Sequence, residues 1–304
     1  MQHQPKHILL TGGSGLLGTE LTKLLLDKGY IVSHLSRKAG NNPNVKTFIW
    51  DVEKGVIDED CIDGADTIIH LAGAGIADSR WTDARKKIIV ESRTKSIALV
   101  YDLLKRKPHQ VKKVISASGI GYYSDRDGDL MHEDSKPAHD FMGECCIAWE
   151  QAVNAGADLG LDILIFRTGV AFTKDGGALI KMGTPVKLGI GSPLGSGKQW
   201  LSWIHHRDVS AMYLYGIEQA KLTGIYNMVA PTPVTNKLLT KAIANQFKRP
   251  LWLPNVPAFV LKLLLGEMAT IVLGSTKVSA TKIEEAGFQF KYPGVEDALK
   301  EIYG

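Results

Sequence analysis

The chain is 304 residues long, 44% hydrophobic and 22% charged, with a mean hydropathy of −0.03. These proportions belong to a folded globular protein large enough to bury a core unaided, and they exclude collagen-like, disordered and disulfide-stapled classes. A net charge of +4, from 36 basic and 32 acidic residues, is too small for the dense basic face of a nucleic-acid binder but leaves room for a local anion site.

The first elements alternate. A β-rich run, Ile8 to Thr11, leads into a glycine turn, and Leu16 to Lys28 carries apolar residues at helical spacing until Gly29. Further strands are expected at Tyr30 to Leu35, Lys46 to Trp50, Thr67 to Leu71, Lys113 to Ala117 and Asp162 to Arg167, with helices over Trp81 to Arg106 and Cys145 to Leu159. This rhythm requires a parallel sheet, because parallel strands need crossovers, and helices then cover both faces. After Thr168 the texture changes, and the many glycines between 176 and 200 read as loop and short strands. Helical patterns return at Asn236 to Phe247, Ala258 to Leu273 and Gly294 to Ile302. The expected architecture is α/β: a doubly wound parallel sheet of the Rossmann type over about 1–170, with a smaller mixed C-terminal substrate lobe over 171–304.

Cys61, Cys145 and Cys146 form neither a disulfide framework nor a zinc pattern, and no histidine spacing suggests a metal. The N-terminal residues carry no apolar targeting core, and no stretch approaches a membrane span of about 20 residues. A cytoplasmic protein without nucleic-acid or membrane partners is expected. The amphipathic stretch Phe259 to Leu273 reads as core of the second lobe, with a homodimer contact as the alternative.

Thr11-Gly12-Gly13-Ser14-Gly15-Leu16-Leu17-Gly18 lies between a strand and a helix. Glycines at 12, 15 and 18 permit a tight turn, close approach to a pyrophosphate and close helix packing, while the helix N-terminus offers N–H groups to the anion. The alternative is an ordinary tight strand-to-helix turn. The second strand ends Ser36-Arg37-Lys38, where an NAD site normally carries an acid. Arg37, aided by Ser36, suits the 2′-phosphate of NADP(H) and makes NAD the less favoured cofactor; a solvated basic pair is the competing reading. Asp51, ending the third strand, is placed to accept from an adenine amino group, or else to cap a turn. Leu71-Ala72-Gly73 follows the fourth strand, on the ligand side of such a sheet.

The glycine loop, His70-Leu71-Ala72-Gly73 and Ser116-Ala117-Ser118 resemble the extended, NAD(P)-dependent epimerase/dehydratase form of the short-chain dehydrogenase/reductase superfamily. Ser79-Arg80-Trp81-Thr82, Trp149-Glu150, Arg167-Thr168-Gly169 and the run from Gly195 to His205 look like its "epimerase family protein" subgroup, which carries a short C-terminal domain of unknown function. The resemblance runs from about Ile8 to Leu299, with the epimerase part reaching about 230 and the C-terminal domain covering about 250–299. It implies a serine, a tyrosine and a lysine four residues later as catalytic groups. Ser118 matches the serine. The expected tyrosine and lysine positions hold Met142 and Cys146 if Glu150 ends the helix motif, and Tyr101 with Lys105 lies too early in the chain. Tyr122 and Tyr123 are the nearest phenols to supply the proton.

The resemblance also places Arg80, Trp81, Lys198, Gln199 and His205 around a substrate pocket suited to an anionic or phosphorylated ligand, although each has an ordinary reading as core or solvated surface. The expected activity is NADP(H)-dependent redox or epimerisation of a small carbonyl or sugar-like compound. A non-catalytic NADP(H)-binding redox sensor or scaffold is the alternative, followed by a structural protein with a vestigial site.

Overall fold

The structure, a computed structural model, describes residues 6–304. In chain order the elements are β1 (His7–Thr11), α1 (Leu16–Asp27), β2 (Ile31–Ser36), β3 (Lys46–Asp51), β4 (Val56–Ile57), β5 (Thr67–His70), α2 (Asp83–Arg106), β6 (Lys113–Gly119), β7 (Leu130–Met131), α3 (Phe141–Asn154), β8 (Asp162–Thr168) and β9 (Val170–Phe172). They continue with α4 (Gly177–Lys187), β10 (Trp200–Leu201), β11 (Trp203–His205), α5 (His206–Glu218), β12 (Gly224–Met228), β13 (Val234–Thr235), α6 (Asn236–Gln246), α7 (Ala258–Leu265), α8 (Ala269–Leu273), β14 (Lys277–Val278), α9 (Thr281–Glu285) and α10 (Val295–Tyr303).

Eight strands make one sheet in the order β12-β8-β6-β5-β1-β2-β3-β4, and every neighbouring pair is parallel except β3 with β4. Strand alternation divides the core. Ile8, Leu10, Ile69, Ile115, Leu164 and Phe166 point to the face covered by α1 and α5, while Leu9, Ile68, Val114, Ile163 and Ile165 point to the face covered by α2 and α3. A strand buried on both faces gains little from polar alternation, which is why these runs read as continuous apolar segments.

The strand order reverses between β1 and β5, so their carboxyl ends open the crevice in which this architecture takes ligands. A separate core of Phe172, Trp203, Leu239, Ile243, Tyr292 and Leu299 belongs to the C-terminal lobe, with Phe172 and Trp203 stacked at 5.1 Å.

The sheet does not end near Arg167. β12 pairs with β8 along Gly224 to Met228, so the edge strand comes from beyond residue 170 and the two parts of the chain interlock. Its short run, GIYNM, mixes polar and apolar residues because an edge strand needs less apolar surface. Residues 177–187 form a helix rather than loop, with Pro185 inside it and Gly177 at φ +75° starting it. The expected helix over Ala258 to Leu273 breaks into α7 and α8 at Gly266, whose φ of +60° no continuing helix tolerates.

Candidate active site

β1 delivers Thr11 fully buried to the crevice, where its Oγ1 lies 2.9 Å from His70 Nδ1 and accepts from the Ala72 N–H at 3.2 Å. These bonds tie the glycine loop to the Leu71-Ala72-Gly73 turn after β5. Gly12, at φ +73°, passes so close that a Cβ would stand 2.8 Å from the Leu71 carbonyl. A Cβ on Gly18 would stand 2.7 Å from Gly13 Cα, and Gly15 is the N-cap of α1 with no side-chain hydrogen bond. α2, α3 and α6 instead have capping side chains, from Thr82, Asp140 and Thr235. With Ser14 exposed before it, and Leu16 and Leu17 opening its first turn without an acid, α1 presents bare N–H groups to the crevice. Gly13 has a role the sequence did not reveal: a side chain there would collide with the His34 ring, which is held at 2.8 Å by Thr22 Oγ1.

Arg37 and Lys38 are exposed just past β2, and neither forms an ion pair among the described residues. Ser36 is half-buried, its Oγ 3.5 Å from the Lys38 N–H. Asp51 Oδ1 accepts from the Glu53 and Lys54 N–H groups, each at 3.1 Å, so the structure shows it in the turn-capping role. Those bonds, led by that from Lys54, hold its carboxyl below the usual value.

The serine end of the crevice is a buried polar network. Ser118 Oγ donates to Glu150 Oε1 at 2.8 Å; Arg167 grips both Glu150 oxygens at 2.8 Å and donates from Nη1 to Tyr123 Oη at 2.9 Å. Tyr123 in turn donates to Asn227 Oδ1 at 2.7 Å. Burial drags on the Arg167 cation, but the Glu150 carboxylate outweighs it and holds Arg167 above the ordinary arginine value.

Two expectations for catalysis change here. Tyr123 is fully buried with its hydroxyl committed on both sides, and burial pushes it up to about 12, so it serves the network rather than a ligand. Ser118, 4% exposed, spends its proton on Glu150. Tyr122 differs: it is half-buried, its hydroxyl meets no protein partner among the described residues, and the Arg167 guanidinium lies 3.4 Å from its ring centroid. Met142 and Cys146 face the 119–121 turn, with Cys146 Sγ 3.5 Å from the Gly119 carbonyl. A thioether and a thiol that burial pushes up to about 12 leave that position without an acid/base pair.

The expected substrate residues scatter. Arg80 donates to the Leu263 and Leu264 carbonyls at the end of α7, and Trp81, 9% exposed, donates to Ile76 O and packs edge-on against Phe141. Gln199 is buried, its amide donating to the Leu194 and Val272 carbonyls at 3.0 Å, so it braces the lobe. His205 is fully buried, 2.9 Å from Glu301 of α10. Lys198 is exposed, as is Arg80. The contacts of Arg80 with α7, Gln199 with Val272 and His205 with Glu301 escaped the sequence because those partners lie far along the chain.

His205, His206 and Glu301 are the grouping with metal-ligand reach among the described residues. The Arg207 N–H donates to His205 Nδ1, which leaves the proton on Nε2 facing Glu301, and Arg207 also pairs with Glu301. Through these bonds the three side chains join the start of α5 to α10. No helix among the described residues is long and apolar enough to cross a membrane.

Residues 8–228 match the NAD dependent epimerase/dehydratase family model, and residues 256–302 match a domain of unknown function, DUF1731. The chain is 35% identical over 298 residues to epimerase family protein YfhF of Bacillus subtilis, covering 97% of each. It is 34% identical over 303 residues to the chloroplastic epimerase family protein SDR39U1 homolog of Arabidopsis thaliana, covering 97% of this chain and 86% of that one. Among solved structures, human epimerase family protein SDR39U1 with NADPH superposes with a TM-score of 0.87 at 30% identity, covering 98% of this chain and 99% of that one. Crevice, glycine loop and sequence agree: the chain belongs to the NAD dependent epimerase/dehydratase family.

Proposed function

We propose that the protein binds NADP(H) in the β1–β5 crevice and uses it to reduce or epimerise a small carbonyl or sugar-like compound. The observation that carries this reading is the side-chain-free cradle of Gly12, Gly15 and Gly18 beneath the uncapped α1, with the exposed Arg37 just past the end of the adjoining strand β2. Bare N–H groups suit a pyrophosphate, and a free guanidinium suits a 2′-phosphate. The NADPH in the human relative supports the same choice.

A bound nicotinamide would supply the hydride chemistry. The chain's own part is to orient the ligand and move one proton. Tyr122 Oη is the phenol free to donate to a substrate oxygen, while Ser118, Glu150 and Arg167 hold the floor of the site rigid. A second reading, NADP(H) binding without turnover, draws on Met142 and Cys146 standing where an acid/base pair would be expected.

Titration with NADPH and NADH tests the cofactor. Arg37→Ala is expected to weaken NADPH binding about tenfold or more and to leave NADH unchanged; equal losses for both overturn the phosphate role. A panel of carbonyl and sugar-nucleotide compounds, followed by NADPH oxidation or epimer analysis, tests turnover. Tyr122→Phe is expected to lower kcat about a hundredfold, in the range of lost general-acid catalysis. Full activity in that variant removes Tyr122 as the proton donor, and no turnover across the panel favours the second reading.

A further inference from the structure

The most unusual charge in the molecule is Arg93, on α2. It is 6% exposed, yet among the described residues it forms no ion pair and its side chain makes one hydrogen bond, from Nη1 to Ile89 O of its own helix at 2.7 Å. Its guanidinium lies against the turn after β5: a Cβ on Gly73 would meet Cζ at 3.0 Å. It also lies over Trp149, with Cζ 4.9 Å from the ring centroid. Burial pulls its pKa down, outweighing the opposite pull of Cys145 and Cys146.

Stacking on an indole does not replace the hydration and counter-charge that a buried guanidinium gives up. The contrast with Arg167 is direct, since that buried guanidinium grips both oxygens of Glu150. Neighbouring donors are short of acceptors as well. Arg85 Nε and Trp149 Nε1 are both buried without a hydrogen-bond partner, and Arg85 Nη2 donates to the Gly75 carbonyl two residues along the same turn. Two guanidiniums thus flank residues 73–75, and Asp78 pairs only with the outer one, Arg85. Arg80, the arginine expected to meet an anion, instead donates from Nη2 to the α7 carbonyls of Leu263 and Leu264.

We propose that Arg93 is the anion receptor of the substrate site, taking a carboxylate or phosphate group of the substrate beside the Gly73 turn. This rests on the reading of the crevice as an NADP(H) site with a small-molecule substrate next to it. Arg93 fits such a group because its planar donors are pre-positioned, already desolvated and free of any competing protein carboxylate.

The test uses the full chain saturated with NADP+ and two probes, inorganic phosphate and oxalate, followed by calorimetry, with Arg93→Met and Arg93→Lys as variants. Saturable binding of at least one probe is expected, weakened about tenfold or more in Arg93→Met and partly restored in Arg93→Lys. NADPH affinity is expected to stay within about twofold of the parent. The unliganded Arg93→Met protein is expected to melt at or above the parent temperature, because an unpaired buried charge is replaced by an apolar chain of similar length. Undiminished probe binding in Arg93→Met, or no binding to the parent, overturns the proposal. A parallel loss of NADPH affinity also overturns it, assigning Arg93 to the cofactor instead. A melting temperature lowered by more than about 5 °C would give the guanidinium a role in the fold alone. Failure of the parent to bind NADPH is seen in the first titration and bears on the cofactor reading, separately from the comparison of variants.

Discussion

The two ends of the crevice are built by opposite means. At the glycine loop the site is backbone: Gly12, Gly15 and Gly18 carry no side chain, the helix end is uncapped, and a Cβ at Gly12 or Gly18 would press on neighbouring backbone. At the serine end it is side chain, with Ser118, Glu150, Arg167, Tyr123 and Asn227 joined in one buried chain of hydrogen bonds. A backbone site is written within eight consecutive residues. A side-chain site depends on partners up to 104 positions apart, and its chemistry shifts when one partner changes.

Breaking the serine end is expected to have the largest effect. Glu150→Ala leaves Arg167 buried without its counter-charge and is expected to destabilise the protein by about 3–5 kcal/mol, measured by urea unfolding. A Glu150→Leu, Arg167→Met double variant that recovers most of this loss would show the pair acting as a unit. Gly18→Ala is the matching lesion at the other end. Its Cβ presses on Gly12 and Gly13, and NADPH affinity is expected to fall about a hundredfold, a loss of about 2.7 kcal/mol. If Gly18→Ala instead unfolds the protein while Glu150→Ala spares it, the contrast between the two ends fails.

Acid sharpens the same contrast, since His70 sits beneath the junction of both ends. Burial lowers it to about 4, so the folded state holds it neutral while the unfolded chain protonates near pH 6.5. Its contribution is fully present above that value and is lost as pH falls through the window down to about 4, at up to about 1.4 kcal/mol per pH unit. His205, also lowered to about 4 chiefly by burial, adds to the same slope. Urea midpoints at pH 7.5 and pH 5 measure it, and equal stabilities would contradict the buried neutral state.

The parallel sheet was legible because runs such as Ile8 to Thr11 and Asp162 to Arg167 are apolar on both faces and are separated by helical spacing. The glycine loop was legible because its constraint is local. Arg93 carried no signal, because lysines and arginines recur along α2 and only tertiary packing tells the buried one from its solvated neighbours. Gln199 and His205 were misleading for the same reason: polar residues near glycines resemble a pocket until Val272 and Glu301 supply their partners. The break in the α7–α8 region could be suspected at Gly266, but glycine is tolerated within helices and the neighbouring apolar run hides it.

The late arrival of β12 has a consequence for how the molecule is made. β8 is apolar on both faces, and one whole flank of it waits for a strand that leaves the ribosome more than fifty residues later. Until then its unpaired N–H and C=O groups form an open, sticky template. The sheet therefore closes by a long-range, slow step, and a fragment trimmed at residue 170 would aggregate rather than stand alone as a nucleotide-binding module.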